Sequence, residues 1–483
     1  MNAFLRSLLT GRRRTMAAVA LVLAVGAIGI AAYVHHESKA TAAPVDPAPP
    51  ATLLPTPAPA FPLHRSPTGR YLVDRKGRPF LIVGDSPQSL IVNLSEAQAD
   101  QFFADREAAG FNAMWINLLC DTYTAGRSNG ATYDGIVPFT TAGNLSTPNP
   151  AYFARADAMI RLAAAHHIAV FLDPIETGGW LTVLRHNGRA KAYAYGRYLG
   201  RRYRRYKNIV WLNGNDFQTW RRRSDDALVL AVARGIRSTD PHALQTVELN
   251  YLTSTSSDDP RWRGILGLDA AYTYGPTYAE VLKAYDRHDD LPVFMLEASY
   301  EGEHEYTGPS TLRRQEYWTL LSGASGQFYG NTYTWQFLVG WQHKLDTVGS
   351  RQMTFVTNLF SHRRWFDLVP DTRHRLVVSG YGTYSASANI NDADYVTAAR
   401  TRDGRLAIAY LPTGGSIVVD LKRMAGPRVR AQWYDPTDGR YRTIQGSPLR
   451  RKGSRRFTTP GRNHEGDPDW VLVLATARHR ASS

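Results

Sequence analysis

The chain has 483 residues, a formal net charge of +15 and a single cysteine. This length is enough for one large domain and a smaller one, and one cysteine excludes an intramolecular disulfide. The densest basic clusters, residues 201–205 and 221–223, come without any nucleic-acid-binding motif, so we exclude nucleic acid as a partner. We interpret these clusters as solvated helix faces, with attraction to anionic lipid headgroups or an acidic polysaccharide as the alternative.

The N-terminal residues predict export. Three arginines, residues 12–14, precede residues 16–34, a run without charge that can just span a bilayer. A basic flank before an apolar run also describes a secretory signal peptide, and Ala40-Thr41-Ala42 offers a small-residue cleavage pattern. We favour an uncleaved anchor over residues 1–39, which gives a single-pass cell-membrane protein with an extracytoplasmic catalytic domain. Cleavage would give a secreted protein instead.

Residues 40–63 contain eight prolines among small residues. Such a segment cannot bury a core, so we predict an extended, semi-rigid linker. The folded region then begins near residue 64.

From residue 64 to residue 370, short apolar runs alternate with helical patterns. A small hairpin with its turn at Lys76-Gly77 comes first. The predicted strands are then residues 80–83, 111–119, 168–172, 209–212, 244–249, 265–274, 293–296 and 326–329. The predicted helices are residues 96–109, 150–166, 193–206, 225–238, 278–286, 311–322 and 351–366. This alternation predicts an α/β domain with the (β/α)8 TIM-barrel fold. A doubly wound open sheet is the competing architecture, but the phosphate-binding glycine fingerprint is absent after the first strand.

Residues 371–483 show only short strand patterns separated by turn signals. The predicted strands are residues 375–379, 395–402, 406–411, 417–420, 429–434, 441–444 and 470–474. This spacing predicts a small antiparallel β-sandwich domain after the barrel. The segment carries no acid/base pair of its own, and we expect it to give structural support.

Two carboxylates, Asp216 and Glu297, each end a buried-strand pattern. They fall on the fourth and seventh predicted strands of the barrel. The C-terminal strand ends form the active-site face of such a barrel. Because two carboxylates brought together there are the minimum equipment for cleaving a glycosidic bond, we predict that they are the catalytic pair.

Polar and aromatic residues at other strand ends are candidates for lining the pocket. They are Asp85, Asn117, Asn215, Glu248, Tyr274, Tyr329 and Trp335. Aromatic rings suit the apolar faces of sugars, although a rim aromatic is as often plain packing. Asp173 and Glu176 offer either a third carboxylate or a loop cap.

We predict no metal site and no cofactor. The acidic loop at residues 301–305 could bind calcium, but solvent exposure explains its composition as well. His166 and His167 end a helix, where positive charge is favourable, and Cys120 is interpreted as a small core residue. No zinc-ligand spacing, phosphate loop or nucleophile elbow is present in the sequence.

Six short stretches carry a family resemblance through their order along the chain. They are Pro79-Phe-Leu-Ile-Val-Gly-Asp-Ser86, Gly110-Phe-Asn-Ala-Met114, Glu297-Ala-Ser-Tyr-Glu-Gly302, Gly323-Ala-Ser-Gly-Gln-Phe-Tyr-Gly330, Val369-Pro-Asp371 and Ala431-Gln-Trp-Tyr-Asp-Pro-Thr-Asp-Gly439. The chain, over about residues 64–476, resembles the apiosidase-like glycoside hydrolases of family 140 with their C-terminal β-domain, which is named for collagen binding.

The resemblance implies that an acid on the fourth strand and one on the seventh do the chemistry, and Asp216 and Glu297 match those places. Asn215-Asp216 also resembles the Asn-Glu pair of many retaining barrel glycosidases, with Asp in place of Glu. Residues 86–89 depart from the family's pattern, and Asn331 stands where His is common. The family's apiose specificity is therefore not carried over.

We predict an exported glycoside hydrolase that cleaves a plant or cell-wall polysaccharide or oligosaccharide by a retaining two-carboxylate mechanism. The alternative is a catalytically silent carbohydrate-binding or cell-wall scaffold protein on the same barrel, which has no need of both acids. The expected partners are a carbohydrate substrate and the membrane. The sugar, the linkage, exo or endo action and the oligomeric state stay open.

Overall fold

The structure is a computed structural model that describes residues 52–250, 253–287 and 290–477. The predicted anchor, residues 1–39, and residues 40–51 of the predicted linker lie outside the described residues. Within the described ranges, no helix has the length and apolar character needed to cross a bilayer. Residues 52–63 have no regular secondary structure and contact the large domain, where the Leu54 N–H donates to Asn358 Oδ1 at 2.8 Å and Leu63 is buried.

A three-stranded sheet precedes the large domain. Its strands are β1 (His64–Arg65), β2 (Leu72–Val73) and β3 (Pro79–Phe80), paired in that order. The predicted hairpin at Lys76-Gly77 is confirmed, because Gly77 adopts a φ of 76° and its N–H donates to the Asp74 carbonyl. A left-handed backbone at this position suits glycine.

The large domain alternates strands and helices as predicted. Its strands are β4 (Ile82–Asp85), β5 (Ala113–Asn117), β6 (Ala169–Asp173), β7 (Ile209–Asn213), β8 (Gln245–Val247), β9 (Thr253–Thr255), β10 (Asp269–Thr273), β11 (Val293–Glu297) and β12 (Gly326–Tyr329). Its α-helices are α1 (Leu90–Asn93), α2 (Glu96–Ala108), α3 (Pro150–Ala165), α4 (Thr177–Tyr203), α5 (Arg223–Thr239), α6 (Thr277–Tyr285), α7 (Pro309–Leu321) and α8 (Val348–Ser361). Ser95 caps α2 in a reciprocal capping box with Gln98.

The nine strands form one curled sheet in the order β8-β7-β6-β5-β4-β12-β11-β10-β9. Eight strands are parallel, and β9, which the sequence did not predict, pairs antiparallel with β10. Strands β8 and β10 share no ladder in the part of the chain described. Instead, the Gly267 N–H donates to the Gln245 carbonyl at 2.7 Å, and the Ser256 hydroxyl connects Val247 O with the Ala270 N–H. The barrel prediction is thus confirmed in part: the strands form a curled nine-stranded sheet rather than a closed eight-stranded one, and these bonds connect the β8 edge with β10 and the residues just before it.

Alternate residues of each strand enter different cores. Trp115, Phe171, Phe294 and Phe328 share one core inside the curl, and the ring centroids of Phe171 and Phe328 lie 4.9 Å apart. Residues such as Met114 pack in a second core under the helices. This two-residue alternation is what a sheet covered on both faces requires, and the curl is filled rather than hollow.

Helix α4 begins sixteen residues before the predicted helix at 193–206, and it contains a break at Gly188 with φ 72° and ψ 172°. Three glycines, Gly178, Gly179 and Gly188, lower helix propensity in this stretch, so the sequence pattern hid the first half of the helix.

The second domain consists of antiparallel strands, as predicted. They are β13 (Leu368–Pro370), β14 (Val377–Ser379), β15 (Thr397–Thr401), β16 (Leu406–Leu411), β17 (Ser416–Asp420), β18 (Arg428–Tyr434), β19 (Tyr441–Thr443), β20 (Leu449–Arg450), β21 (Ser454–Thr458) and β22 (Trp470–Thr476). One sheet has seven strands and the other is β14-β17-β21. Side chains from both sheets, such as Ile417 and Trp470, share one buried core.

Candidate active site

A tight turn after β7 carries Asn215 and Asp216 into the C-terminal face of the curled sheet. Gly214, Asn215 and Asp216 have φ values of 113°, 72° and 47°. Asn and Asp tolerate this left-handed region better than other non-glycine residues. A Cβ on Gly214 would lie 2.2 Å from the Glu248 carbonyl. The turn is therefore pressed against the next strand end, which fixes the direction of both side chains.

The Asp216 side chain is held among phenols. The Tyr123 hydroxyl donates to Asp216 Oδ2, and no donor within the described residues reaches the buried Oδ1. Burial raises the pKa of Asp216, and the hydroxyls of Tyr123 and Tyr272 act in the opposite direction. A carboxyl with a raised pKa can carry a proton at neutral pH and deliver it.

Glu297 is the last residue of β11 and is 8 % exposed. Burial raises its pKa well above the ordinary value, and the neighbouring Glu248 and Asp216 carboxyls raise it further. Tyr272, the partner of Glu297 in the β10–β11 register, and Tyr300 also surround this carboxyl.

Glu248 lies between the two predicted catalytic acids. The backbone N–H of Asp216 donates to Glu248 Oε2 at 2.9 Å. The neighbouring Glu248 carboxyl also raises the pKa of Glu297. Three carboxyl groups, at the ends of β7, β8 and β11, thus lie together at the C-terminal end of the sheet.

Asn215 and Tyr274 also face this pocket. Asn215 Nδ2 donates to Gln88 Oε1 at 2.9 Å, and Gln88 Nε2 donates to the Tyr300 hydroxyl at 2.9 Å. The Tyr274 hydroxyl donates to Glu303 Oε1 at 2.8 Å, and the charge of Glu297 acts on Tyr274.

The remaining predicted pocket residues make contacts inside the protein. Asp85 is fully buried in an ion pair with Arg106 at 2.6 Å. The Tyr329 hydroxyl donates to Glu301 Oε2 at 2.5 Å. Asp85 and Tyr329 pair in register, on the face of the sheet opposite Phe328. Their side chains therefore turn toward helix α2 rather than into the curl.

Asn117 and Trp335 lie at or just past strand ends, and the contacts described for them are with other parts of the protein. Asn117 Oδ1 accepts from Trp115 Nε1 at 2.9 Å, and its buried Nδ2 has no partner among the described residues. The Trp335 carbonyl accepts from the Ser89 N–H at 3.2 Å, and its ring is half-buried.

Two further acids lie behind the pocket. Asp173, at the end of β6, is fully buried, and burial raises its pKa well above the ordinary value. Glu176 accepts from the Thr124 hydroxyl at 2.9 Å, and burial together with the charge of Asp121 raises its pKa to about 8. Asp173 Oδ1 accepts the Ile175 N–H at 3.1 Å, so the loop-cap interpretation is confirmed for Asp173. Glu176, the residue before helix α4, makes no side-chain cap to that helix.

The acidic loop after β11 is tied to protein donors. Glu301 accepts from Thr347 Oγ1 at 2.6 Å and from the Gly349 N–H at 3.0 Å, and Glu303 accepts from the Tyr300 N–H at 3.0 Å. Within the described ranges, no group of three or more His, Cys, Asp or Glu residues is arranged to hold a metal ion.

Sequence reasoning missed Tyr123, Tyr272, Gln88 and Tyr300. Tyr272 and Tyr300 lie within three residues of predicted site residues, so their phenols could have been named as candidates. Gln88 lies in the stretch that departs from the family's pattern. Tyr123 is on a 3-10 turn, Thr122–Thr124, in the loop that follows β5, and no signal in the sequence marks it.

The arrangement suits transfer of a glycosyl group. Two carboxyls, both with raised pKa values, lie near each other at the C-terminal end of the sheet. One of them can act as an acid and the other, once ionised, as a nucleophile or base. Phenols and amides around them can hydrogen-bond sugar hydroxyls.

Comparisons with known proteins agree with this chemistry. A family model described as the apiosidase-like catalytic domain matches residues 66–367, more than half of the chain. A second model, named after the proposed collagen-binding domain of a collagenase, matches residues 385–475. No curated protein matches the chain.

Two solved structures share the fold over both domains. A glycoside hydrolase of family 5 from Bacteroides vulgatus is 22 % identical with a TM-score of 0.75, over 87 % of this chain and 95 % of that chain. A second structure, named only as a glycoside hydrolase, is also 22 % identical with a TM-score of 0.75, over 86 % of this chain and 97 % of that one.

Proposed function

The chain belongs to the apiosidase-like family and is a glycoside hydrolase, and from this premise we propose that Asp216 and Glu297 cleave the glycosidic bond by a retaining double displacement. The observation that carries the proposal is the meeting of the two acids, through Glu248, at the active-site end of the sheet. A purely carbohydrate-binding protein has no need of this cluster, since burying several carboxyls together is costly.

In the proposed first step, Asp216 protonates the leaving glycosidic oxygen while Glu297 attacks the anomeric carbon and forms a glycosyl-enzyme bond. In the second step, Asp216 takes a proton from water, which displaces Glu297. Burial raises the pKa of Asp216 and so favours the protonated form that this first step requires. The Asn215 amide nitrogen donates to Gln88. The Asn215 Oδ1 atom is therefore the one proposed to accept from a sugar hydroxyl next to the reacting carbon.

The proposed substrate is a plant or cell-wall polysaccharide or oligosaccharide, without commitment to apiose. The departures from the family's pattern at residues 86–89 and at Asn331 support this. Gln88 Oε1 accepts from Asn215, the neighbour of the proposed acid/base. A screen of the purified protein on furanosides, pyranosides and cell-wall polysaccharides tests the substrate class.

We further propose that the protein is exported and held at the cell membrane by its N-terminal segment. The basic flank and apolar run at residues 12–34 support this. Cell fractionation followed by N-terminal sequencing tests it: recovery of a soluble chain lacking residues 1–42 would remove the anchor but not export.

Mutagenesis of the pair tests the mechanism. Asp216→Asn and Glu297→Gln should each abolish turnover, since each keeps its shape and loses one chemical role. On an aryl glycoside whose leaving group needs little protonation, Asp216→Ala should keep its first step, and azide should partly restore the second. Glu297→Ala should lose the covalent intermediate. The product's first-formed anomer, followed by NMR, should retain its configuration.

Glu107→Gln, near the C-terminal end of helix α2, is the matched control and should stay active. Undiminished activity in either Asp216→Asn or Glu297→Gln would reject the site. Inversion of configuration would reject the double displacement but leave the two residues as acid and base.

A further inference from the structure

Four aromatic rings form a row that starts beside the proposed nucleophile. The first ring is that of Tyr272, the register partner of Glu297 in the pairing of β10 with β11. The centroid of the Tyr274 ring lies 5.9 Å from that of Tyr272. The His304 ring lies 6.3 Å from Tyr274, and the Tyr306 ring lies 5.1 Å from His304. These four residues are the aromatic row, and each ring is in contact range of the next.

Exposure increases along the aromatic row. Tyr272 is 2 % exposed, Tyr274 is half-buried, and both His304 and Tyr306 are exposed, Tyr306 to 43 %. The His304 and Tyr306 rings are stacked, with an interplanar angle of 23°. The row therefore begins among the carboxyls at the C-terminal end of the sheet and ends on a stacked pair that solvent reaches.

Hydrogen bonds fix the loop that carries the outer two rings. The His304 N–H donates to Thr307 Oγ1 at 2.8 Å, and the Thr307 N–H donates to the His304 carbonyl at 3.0 Å. The Tyr306 carbonyl accepts from the Thr311 hydroxyl at 2.6 Å and from Asn391 Nδ2 of the second domain at 3.0 Å. Because the loop is already ordered, a ligand that binds these rings has less conformational entropy to remove.

Glu303 connects this loop with the inner part of the aromatic row. Its Oε1 accepts from the Tyr274 hydroxyl at 2.8 Å, and its Oε2 accepts the Tyr300 N–H at 3.0 Å. Both carboxylate oxygens are therefore occupied by protein donors. The inner and outer rings are held in one arrangement, which a ligand would find in place.

A row of this kind suits a chain of sugars. The electron-rich face of an aromatic ring attracts C–H groups, and one face of a sugar ring presents such groups while its hydroxyls point sideways to water. Aromatic side chains with a few fixed polar groups are also the usual lining of a site for an organic ligand. A single sugar at the carboxyls cannot also cover the exposed pair at the far end of the row.

We propose that the aromatic row is an extended carbohydrate-binding surface, on which Tyr274, His304 and Tyr306 hold sugar units beyond the one whose bond is cleaved. The substrate is then a chain of several sugars rather than a small glycoside. This proposal rests on the proposed catalytic roles of Asp216 and Glu297. It adds His304 and Tyr306, which the sequence did not indicate, to the binding site.

Comparison of a short substrate with a long one tests the proposal. The probes are an aryl glycoside with one sugar and the cell-wall polysaccharide that the enzyme cleaves. The readout is the ratio of kcat/KM on the polysaccharide to kcat/KM on the aryl glycoside. Tyr306→Ala should lower this ratio about tenfold, because contacts remote from the reacting bond contribute to its cleavage. Tyr306→Phe keeps the ring and should hold the ratio within about twofold of wild type.

Tyr193→Ala is the matched control. Tyr193 is a tyrosine of similar exposure, 39 %, in the second half of helix α4. Its removal should leave the ratio as in wild type. A wild-type ratio in Tyr306→Ala would overturn the proposal and leave the exposed ring to another partner, such as a protein.

Binding to an inactive variant separates this proposal from the proposed chemistry. Glu297→Gln, alone and combined with Tyr306→Ala, is run in native gels that contain each polysaccharide of the screen, where slower migration reports binding. At least one polysaccharide should retard Glu297→Gln, and the combined variant should need about tenfold more of it for equal retardation. Equal retardation of both variants, or retardation of neither, would overturn the proposal. Weaker retardation of the combined variant, with a wild type that cleaves no polysaccharide, would reject the proposed function and leave the binding surface standing.

Discussion

The proton of Asp216 is controlled by a residue on a neighbouring loop. The Tyr123 hydroxyl donates to Asp216 Oδ2, and this bond opposes the rise in the pKa of Asp216 caused by burial. Burial and the charge of Asp216 raise the pKa of Tyr123, so the phenol keeps its proton. Tyr123 is 40 % exposed, and it therefore joins the proposed acid/base to the solvent-facing rim of the pocket.

Tyr123→Phe should move the alkaline limb of the kcat/KM profile to higher pH. Removing the hydroxyl removes an interaction that stabilises ionised Asp216, so the pKa of Asp216 rises and the proposed acid holds its proton to higher pH. The measurement is kcat/KM against pH on one aryl glycoside. Tyr133→Phe, an exposed tyrosine against Arg155, is the control and should leave the limb in place. A shift to lower pH would contradict the assignment of the donor.

At this scale the sequence located carboxylates better than the groups around them. Asp216 and Glu297 could be named because an acid at the end of an apolar run is visible in one sequence. Asp85 has the same signature, yet it faces Arg106, because a strand end alone does not tell which face the side chain takes. Tyr123 reaches Asp216 across 93 positions of chain, a contact that depends on tertiary packing.

Glycines set the spacing of helices α4 and α5. A Cβ on Gly196 would lie 2.1 Å from the Val232 carbonyl, and one on Gly235 would lie 2.3 Å from the Tyr193 carbonyl. Backbone atoms cannot move aside as a side chain can, so both positions need glycine for this close approach. The first half of α4 uses the same device, since a Cβ on Gly178 would meet the Tyr123 ring at 2.2 Å.

Gly196→Ala should destabilise the protein by about 1–3 kcal/mol, because overpacking against backbone outweighs the better helix propensity of alanine. Urea unfolding followed by circular dichroism measures the change. Gly264→Ala is the matched control: no heavy atom lies within 4 Å of its added Cβ, and its effect should stay within about 0.5 kcal/mol. Equal stability of the two variants would contradict this prediction, because it would show that α4 and α5 can move apart at no cost in unfolding free energy.

Element order was predictable because hydrophobic periodicity is a local signal, and all eight parallel strands fall where the apolar runs predicted them. The antiparallel strand β9 was not predicted, because its three residues, Thr253–Thr255, are too few to show a strand periodicity. The early start of α4 was hidden because Gly178 and Gly179 lower helix propensity. Only the folded structure shows that these glycines leave room for Tyr123 and Asp121.

The two domains are joined through buried polar contacts made by helix α7. Arg313 is 1 % exposed in its side chain and pairs with Asp469 of the second domain, itself 3 % exposed, at 2.9 Å. Arg314 Nη1 donates to the Ala393 carbonyl at 2.8 Å, and Trp318 Nε1 to the Tyr395 carbonyl at 2.9 Å. The second domain thus satisfies polar groups that the catalytic domain buries.

The sequence predicted the order of the domains but not this interface. Arg313-Arg314 looks like a solvated helix face in sequence, because arginine is rarely buried. Only the partner residues, about 80 to 156 positions further along the chain, show that these cations are enclosed. Local sequence patterns therefore predicted the strands and helices of each domain but not the contacts that join the two domains.

The arginines of α7 are buried against the second domain. Separating the domains would leave these charges without their partners, so we expect the two domains to unfold as one unit. Arg313→Ala should lower stability by about 3–5 kcal/mol, since it leaves Asp469 buried without its cation. Calorimetry of residues 48–483 should give one transition for wild type, at a lower temperature in the variant. Arg351→Ala, a half-buried arginine on helix α8 paired with the exposed Asp346, should change stability by less than about 0.5 kcal/mol. Two separate transitions in wild type, or a fragment ending at residue 370 that folds alone, would show that the second domain is not needed to stabilise the first.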